Sequence, residues 1–240
     1  MIGIQLYTVR DDCQKDFKGT LRALAAMGYQ GVEFAWNYGN LPPADLAAFL
    51  HSLGLHAAGL HASIDDLLNP GSDAYSYARA VNSPFLTTSL AGEVKKDWPG
   101  TVDRIVRASA VAHSQGFVFT YHNHTEEAVA VDGVTALDQV LARVSPVLFE
   151  LDTYWLKKGG QDPVAFIRRY AGRSPQVHVK DLDPSDSSTA EIGRGSLDWA
   201  AILGAAKAAG ARWLIVEQDH CKRPPLESAK ISIETLRKIA

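Results

Sequence analysis

Six short segments of this 240-residue chain end in side chains able to bind a cation or move a proton. They read VEF (32–34), GLH (59–61), YHNH (121–124), ELD (150–152), HVKD (178–181) and VEQD (216–219). In an extended segment, residues two apart share a face. That spacing puts His122 with His124, Glu150 with Asp152, His178 with Lys180, and Glu217 with Asp219, while Val177 and Val179 turn the other way. Each residue alone has an ordinary structural use. A late histidine can be hydrogen-bonded structure, Glu150 an interior carboxylate paired with Lys180, and Glu33 and Asp219 solvated charges at a loop edge. Gathered in one volume they mean something else. Burying that many acids and bases without a compensating ion is costly. A divalent cation removes the cost, because carboxylates and neutral imidazoles become its ligands. Two histidines and two carboxylates suit one manganese, zinc, cobalt or magnesium ion.

For those side chains to meet, the chain must alternate strands and helices. Candidate strands fall at 2–9, 31–36, 56–63, 84–90, 117–124, 147–155, 175–182 and 213–220. Between them run segments of 3.6-residue periodicity. DFKGTLRALAAMG puts Phe17, Leu21, Leu24 and Ala25 on one face and stops at Gly28. PADLAAFLHSLG follows the same plan, with Pro42 and Pro43 at its start and Gly54 at its end. SLDWAAILGAAKAAG is opened by Ser196 as candidate N-cap and closed by Gly210. Repeated strand, helix and strand on this spacing imply right-handed crossovers and a parallel sheet. The length is close to the ~250 residues of a (β/α)₈ barrel, and no strand leads into a glycine-rich dinucleotide loop. The expected fold is therefore an α/β, single-domain (β/α)₈ TIM barrel over 1–240 rather than a doubly wound sheet. Its active site should lie at the C-terminal strand ends, where the six segments carry their polar residues.

Composition limits the partners. Hydrophobic residues make up 46% and charged residues 21%, with a net charge of -3. This is globular composition without the basic surface that nucleic acid or an acidic membrane would require. Eight histidines against two cysteines disfavour thiolate-rich metal sites. Cys13 and Cys221 read as free thiols in a reducing cytosol. MIGIQLYTVR has no basic region followed by a long apolar core, and no apolar run approaches the ~20 residues that span a bilayer. A cytoplasmic protein is expected; a homo-oligomer stays open.

The order of IQLYTVR, GYQGVEF, YHNH, LDTYW, HVKD, GRGSLDW and IVEQD resembles the sugar phosphate isomerase/epimerase superfamily, the xylose isomerase-like barrels. These include inosose dehydratases, ketose 3-epimerases and endonuclease IV. The resemblance runs over essentially the whole chain and implies one divalent metal ion with a ligand from each of strands five to eight. On this sequence those ligands are His122, Asp152, His178 and Glu217. The family's epimerases carry a glutamate where this chain has His122, and they use two metal-bound glutamates on opposite faces of the sugar. That symmetric pair is missing here, so the chain resembles a YHNH-type member whose relatives include lyase-like enzymes of 3-keto sugars.

The chemistry matched to such a site is proton abstraction beside the carbonyl of a small sugar or keto-sugar, with isomerisation, epimerisation or elimination as outcomes. Glu217 or His124 would serve as base, and Lys180 would stabilise or protonate a substrate oxygen. Glu33 and His61 would hold hydroxyls across the mouth. Trp36, Tyr154 and Trp155 would wall the sugar, with core packing the alternative for all three. Arg194, in the glycine-bordered loop, would reach a phosphate or carboxylate. An endonuclease IV-like nuclease and a non-catalytic sugar-binding barrel are the competing classes.

Overall fold

Eight parallel strands close on themselves in chain order in the computed structural model, which describes residues 1–90, 97–143 and 148–239. They are β1 (Ile2–Gln5), β2 (Gly31–Ala35), β3 (His56–His61), β4 (Phe85–Thr88), β5 (Val118–His122), β6 (Leu148–Asp152), β7 (Gln176–Val179) and β8 (Trp213–Val216). The ring is completed where β1 pairs with β8, Ile4 lying opposite Val216. The expected (β/α)₈ TIM barrel is the fold observed. Val147, the first residue of the sixth expected strand, lies outside the described residues, as do 91–96, 144–146 and 240.

Every strand is shorter at its C-terminal end than its apolar pattern suggested. The polar residues there leave the ladder and build turns. The Gln5 side chain accepts from Tyr7 N–H and starts a 3₁₀ turn over Leu6–Val9. Asp152 accepts from Trp155 N–H and starts helix Thr153–Lys158. The first helix, Arg10–Met27, begins earlier than expected and kinks at Asp16, whose carboxylate caps Gly19 N–H. Gly28 ends it in the left-handed region at φ 92°. Ser196 is not the cap of the late helix. Asp198 caps Trp199–Ala208 by accepting from Ala201 N–H, and Ser196 donates to the Leu182 carbonyl. Among the described residues no helix is long and apolar enough to cross a membrane, and both cysteines are free.

The strands alternate faces as their sequence demands. Val32, Phe34, Leu60, Leu86, Tyr121, Leu151, Val177 and Val179 pack outward in the main apolar core against the helices. The barrel interior is layered. Ala58, Phe85, Trp213 and Ile215 form a small apolar cluster. Above it is a polar layer in which Thr87 and Thr120 share a hydrogen bond (2.7 Å), Thr120 donates to Gln176 (2.9 Å) and Gln176 donates to Glu33 (3.1 Å). Gly59 leaves room for this layer, since a Cβ there would fall 2.3 Å from Glu33 Oε1 and 2.6 Å from Gln176 Nε2. Gly59→Ala is therefore expected to destabilise the barrel by about 1–3 kcal/mol through overpacking, read as a lower urea midpoint. An unchanged midpoint would mean that the layer yields freely.

Candidate metal centre and mouth cavity

The last residues of β5 and β6, the next-to-last residue of β7 and the first residue beyond β8 converge above the polar layer. His122, Asp152, His178 and Glu217 each offer one ligand-type atom, all within 4.8 Å of one another. Two ligands on opposite sides of a metal stand roughly twice a 2.0–2.2 Å bond apart, so the set can enclose one ion. All four are buried. His122 Nδ1 and Asp152 Oδ2 lack an aligned hydrogen-bond partner, although His122 Nδ1 lies 3.3 Å from Glu150 Oε2 and Asp152 Oδ2 lies 3.1 Å from Lys180 Nζ. Buried acceptors of this kind fit a cation better than a closed protein network.

Local devices hold the four in place. Asn123 accepts from Asp152 N–H at 3.0 Å, tying the end of β6 to that of β5. Thr153 Oγ1 accepts from Lys180 N–H at 3.1 Å and lies within hydrogen-bond reach of the His178 and Lys180 carbonyls, so β6 also fixes β7. His178 is the hub: its Nδ1 lies 2.9 Å from Glu217 and 3.9 Å from Asp152.

Directly beneath is a second tier. His178 Nε2 is 2.7 Å from Glu33 Oε2 and 3.2 Å from Glu150 Oε2; His61 Nε2 is 2.7 Å from Glu150 and 3.3 Å from Glu33. Glu33 was expected at the mouth, holding substrate hydroxyls; it is instead fully buried below the candidate ligands. Glu150 faces the three histidines rather than Lys180. His61, His122, Glu150 and His178 form another set of donors compact enough for an ion, sharing both histidines with the first.

Electrostatics follow from this crowding. Burial and the neighbouring Glu150 raise the Glu33 carboxyl above its ordinary range. Burial would raise Glu150 too, but His178 and His61 hold it well below. Burial would likewise discharge His61 and His178. Against it, Glu150 and Glu33 lift His61 to about 10, and those two with Glu217 hold His178 well above its usual value. Asp152 is pushed up to about 6 by burial, with Lys180 and His178 opposing.

Lys180 is fully buried yet charged. Burial disfavours its ammonium, but Asp152 (3.1 Å), Glu217 (2.7 Å) and Asp219 (2.9 Å) keep its pKa well above the usual lysine value. The Trp155 ring covers it at 5.1 Å and the Tyr154 ring at 5.9 Å. His124 shares a 2.8 Å hydrogen bond with Ser89 through Nδ1, and Glu127 accepts from its backbone N–H. Burial, then Lys180, lowers His124 to about 4, so it is a neutral ring at ordinary pH.

A cavity of ≈450 Å³ opens onto these groups; His61, His122, His124, Glu217, Asp219 and Trp36 are among its lining residues. Trp36 is 60% exposed and stands in the left-handed region at φ 57°, a conformation that costs a non-glycine residue about 1–3 kcal/mol. Tyr154, expected as a wall, is buried, and its hydroxyl donates to the Ser187 carbonyl. Arg194 is exposed on its loop and does not line the cavity. That loop is anchored by Asp181, which accepts from Gly193, Gly195 and Leu197 N–H and from Trp199 Nε1. Sequence reasoning missed Gln5, Tyr7, Ala35, Ser89 and Leu90 as lining residues. Tyr7, Ala35, Ser89 and Leu90 lie near the C-terminal end of an expected strand, and that position was the available signal; Gln5 lies midway along one.

Known proteins agree with this architecture. The chain is 28% identical over 165 residues to an inosose dehydratase of Geobacillus kaustophilus, covering 60% of this chain and 53% of that protein. An inosose dehydratase of Clostridium tetani is 25% identical over 157 residues, with 56% and 52% covered. The chain thus spans about half the length of these curated relatives. Among solved structures, a sugar phosphate isomerase/epimerase from Parabacteroides distasonis superposes with TM-score 0.81 at 21% identity, over 99% of this chain and 97% of that one. The IOLI protein with a bound zinc atom gives TM-score 0.77 at 14% identity, over 99% and 97%. Likeness at these identities shows the fold. The family model for the xylose isomerase-like TIM barrel matches residues 21–239, and the chain belongs to that family.

Proposed function

We propose that the chain is a metal-dependent sugar enzyme of the isomerase/epimerase type, acting by proton abstraction next to the carbonyl of a small sugar or keto-sugar. The observation that carries this reading is the meeting of His122, Asp152, His178 and Glu217 at the edge of an open cavity. A divalent ion held by those four would supply Lewis-acid polarisation of a carbonyl oxygen. Metal analysis of the purified protein distinguishes manganese, zinc, cobalt and magnesium at that site.

The protein groups divide the remaining work. Glu217 is the base: it lines the cavity, and although burial would protonate it, Lys180 and His178 keep it ionised. Lys180 neutralises Glu217, Asp152 and Asp219 and is the nearest proton donor to that side of the site. His124, a neutral ring on the cavity wall, positions a substrate hydroxyl or acts as the second proton carrier. His61 and Trp36, whose rings meet edge to face at 6.2 Å, form the opposite wall. Trp36 offers an aromatic face to the apolar side of a sugar ring.

A second reading is elimination from a keto-sugar, as a dehydratase or lyase. By the family resemblance His122 replaces the glutamate with which the epimerases return the proton on the other face, and Lys180, 2.7 Å from Glu217, can protonate a departing oxygen. The match to inosose dehydratases points the same way. Both readings share the first step. Metal-loaded protein is therefore expected to introduce solvent deuterium at the carbon beside the carbonyl of a ketose or 3-keto sugar, detected by NMR. No exchange across a broad panel would reject the proposal. Recovery of an unsaturated or water-depleted product would select elimination. Cleavage of an abasic-site duplex would instead move the chain to the nuclease class.

A further inference from the structure

Glu33 has a place in the site that its sequence position did not suggest. It reaches from β2 across the barrel to β7, where its Oε2 lies 2.7 Å from His178 Nε2. The other nitrogen of that ring, Nδ1, is the one facing Glu217 and Asp152. Glu33 is itself restrained: Gln5 Nε2 donates to its Oε2 at 2.8 Å and Gln176 Nε2 to its Oε1 at 3.1 Å. Gln176 is fixed in turn by Thr120 and by the Ala58 carbonyl. The missing Cβ of Gly59 leaves the space that the carboxylate occupies.

We infer that Glu33 is a positioning residue that accepts the Nε2–H of His178 and so presents Nδ1, unprotonated and correctly aimed, to a cation. The inference rests on the metal reading proposed above and goes beyond it by giving a role to a buried residue that contacts neither cavity nor substrate. The physical reason is general. A metal-bound imidazole donates its far N–H to an acceptor, which fixes tautomer and ring orientation, and an ionised acceptor raises the basicity of the ligating nitrogen. Glu33 meets the first requirement, and the N–H donors directed at its two oxygens from Gln5, Gln176 and His178 favour the carboxylate form against burial and Glu150. Glu150 Oε2, at 3.2 Å from the same Nε2, is the more distant carboxylate.

The test is cobalt and zinc binding to the whole chain, comparing the natural protein with Glu33→Gln, Glu33→Asp and His178→Ala. Glu33→Gln removes the charge, and Glu33→Asp keeps it but withdraws it by one methylene. Both are expected to weaken binding by about 10–100-fold, the usual effect of losing an outer-shell partner. The visible cobalt spectrum should change, and the hydrogen-bonded His178 N–H resonance of the zinc-loaded protein should shift upfield. A merely structural role would lower the unfolding midpoint without moving either signal. Wild-type affinity in whichever Glu33 variant folds, with binding lost in His178→Ala, overturns the positioning role alone. Absence of cobalt binding by the natural protein, or full retention in His178→Ala, overturns the metal reading and this inference with it.

Discussion

His178→Ala is expected to abolish stoichiometric metal binding while the barrel remains folded. The ring is in contact with both tiers of the site, 2.9 Å from Glu217 and 2.7 Å from Glu33. Its removal deletes one of four candidate ligands and also the partner of two buried carboxylates. Affinity should therefore fall by more than the ~100-fold upper effect of losing an outer-shell contact, and turnover should fall with it. Breaking a buried ion pair costs about 3–5 kcal/mol, so the thermal midpoint should drop. The fold should survive, because Val177 and Val179 on the opposite face keep their apolar packing. Elemental analysis after gel filtration, with circular dichroism on the same sample, checks both halves. A folded variant that keeps its metal would count against the site. The sign of the pH effect follows from the same ring. Glu150, Glu33 and Glu217 overcome burial and hold its pKa well above the usual histidine value, so a cation must displace a proton to bind. Apparent affinity for the natural protein should rise with pH, and calorimetry in buffers of different ionisation enthalpy should register the released proton.

Lys180→Met is the second large effect. The ammonium is fully buried within 3.1 Å of three carboxylates, and methionine offers similar length without charge. Turnover should fall by about 10²–10³, as when a positioned electrostatic donor is removed from an active site. Stability should also fall by about 3–5 kcal/mol, because Asp152 and Glu217 lose their buried counter-charge. The informative measurement is turnover set beside metal content. Metal retained with turnover lost places Lys180 in the chemistry. Loss of both means that its main task is to neutralise the ligand cluster. Unchanged turnover with metal retained would remove Lys180 from the reaction. Lys180→Arg is not expected to rescue, since Trp155 and Tyr154 cap the space above the ammonium.

The eight strands, their order and the residues at their C-terminal ends were all legible in one dimension. Alternating apolar and polar residues identify a strand's two faces, and parallel closure delivers every strand's polar end to one mouth. His122, Asp152, His178 and Glu217 come together there, the set that the family resemblance implied. Height along the barrel axis was not legible. Glu33 and His61 both read as mouth residues, yet His61 lines the cavity and Glu33 lies buried beneath it. That difference depends on strand stagger and on the register shift of β2 against β3 at Val32 and Glu33, neither of which a single strand encodes. Tyr154 and Arg194 do not line the cavity for a related reason. Each follows a strand, but a helix turns the first into the core and Asp181 folds the second's loop away from the cavity. The partners of Glu33 are Gln5, Gln176 and His178, up to 145 residues away. A period of two tells which way a side chain points; only the closed barrel decides what it meets.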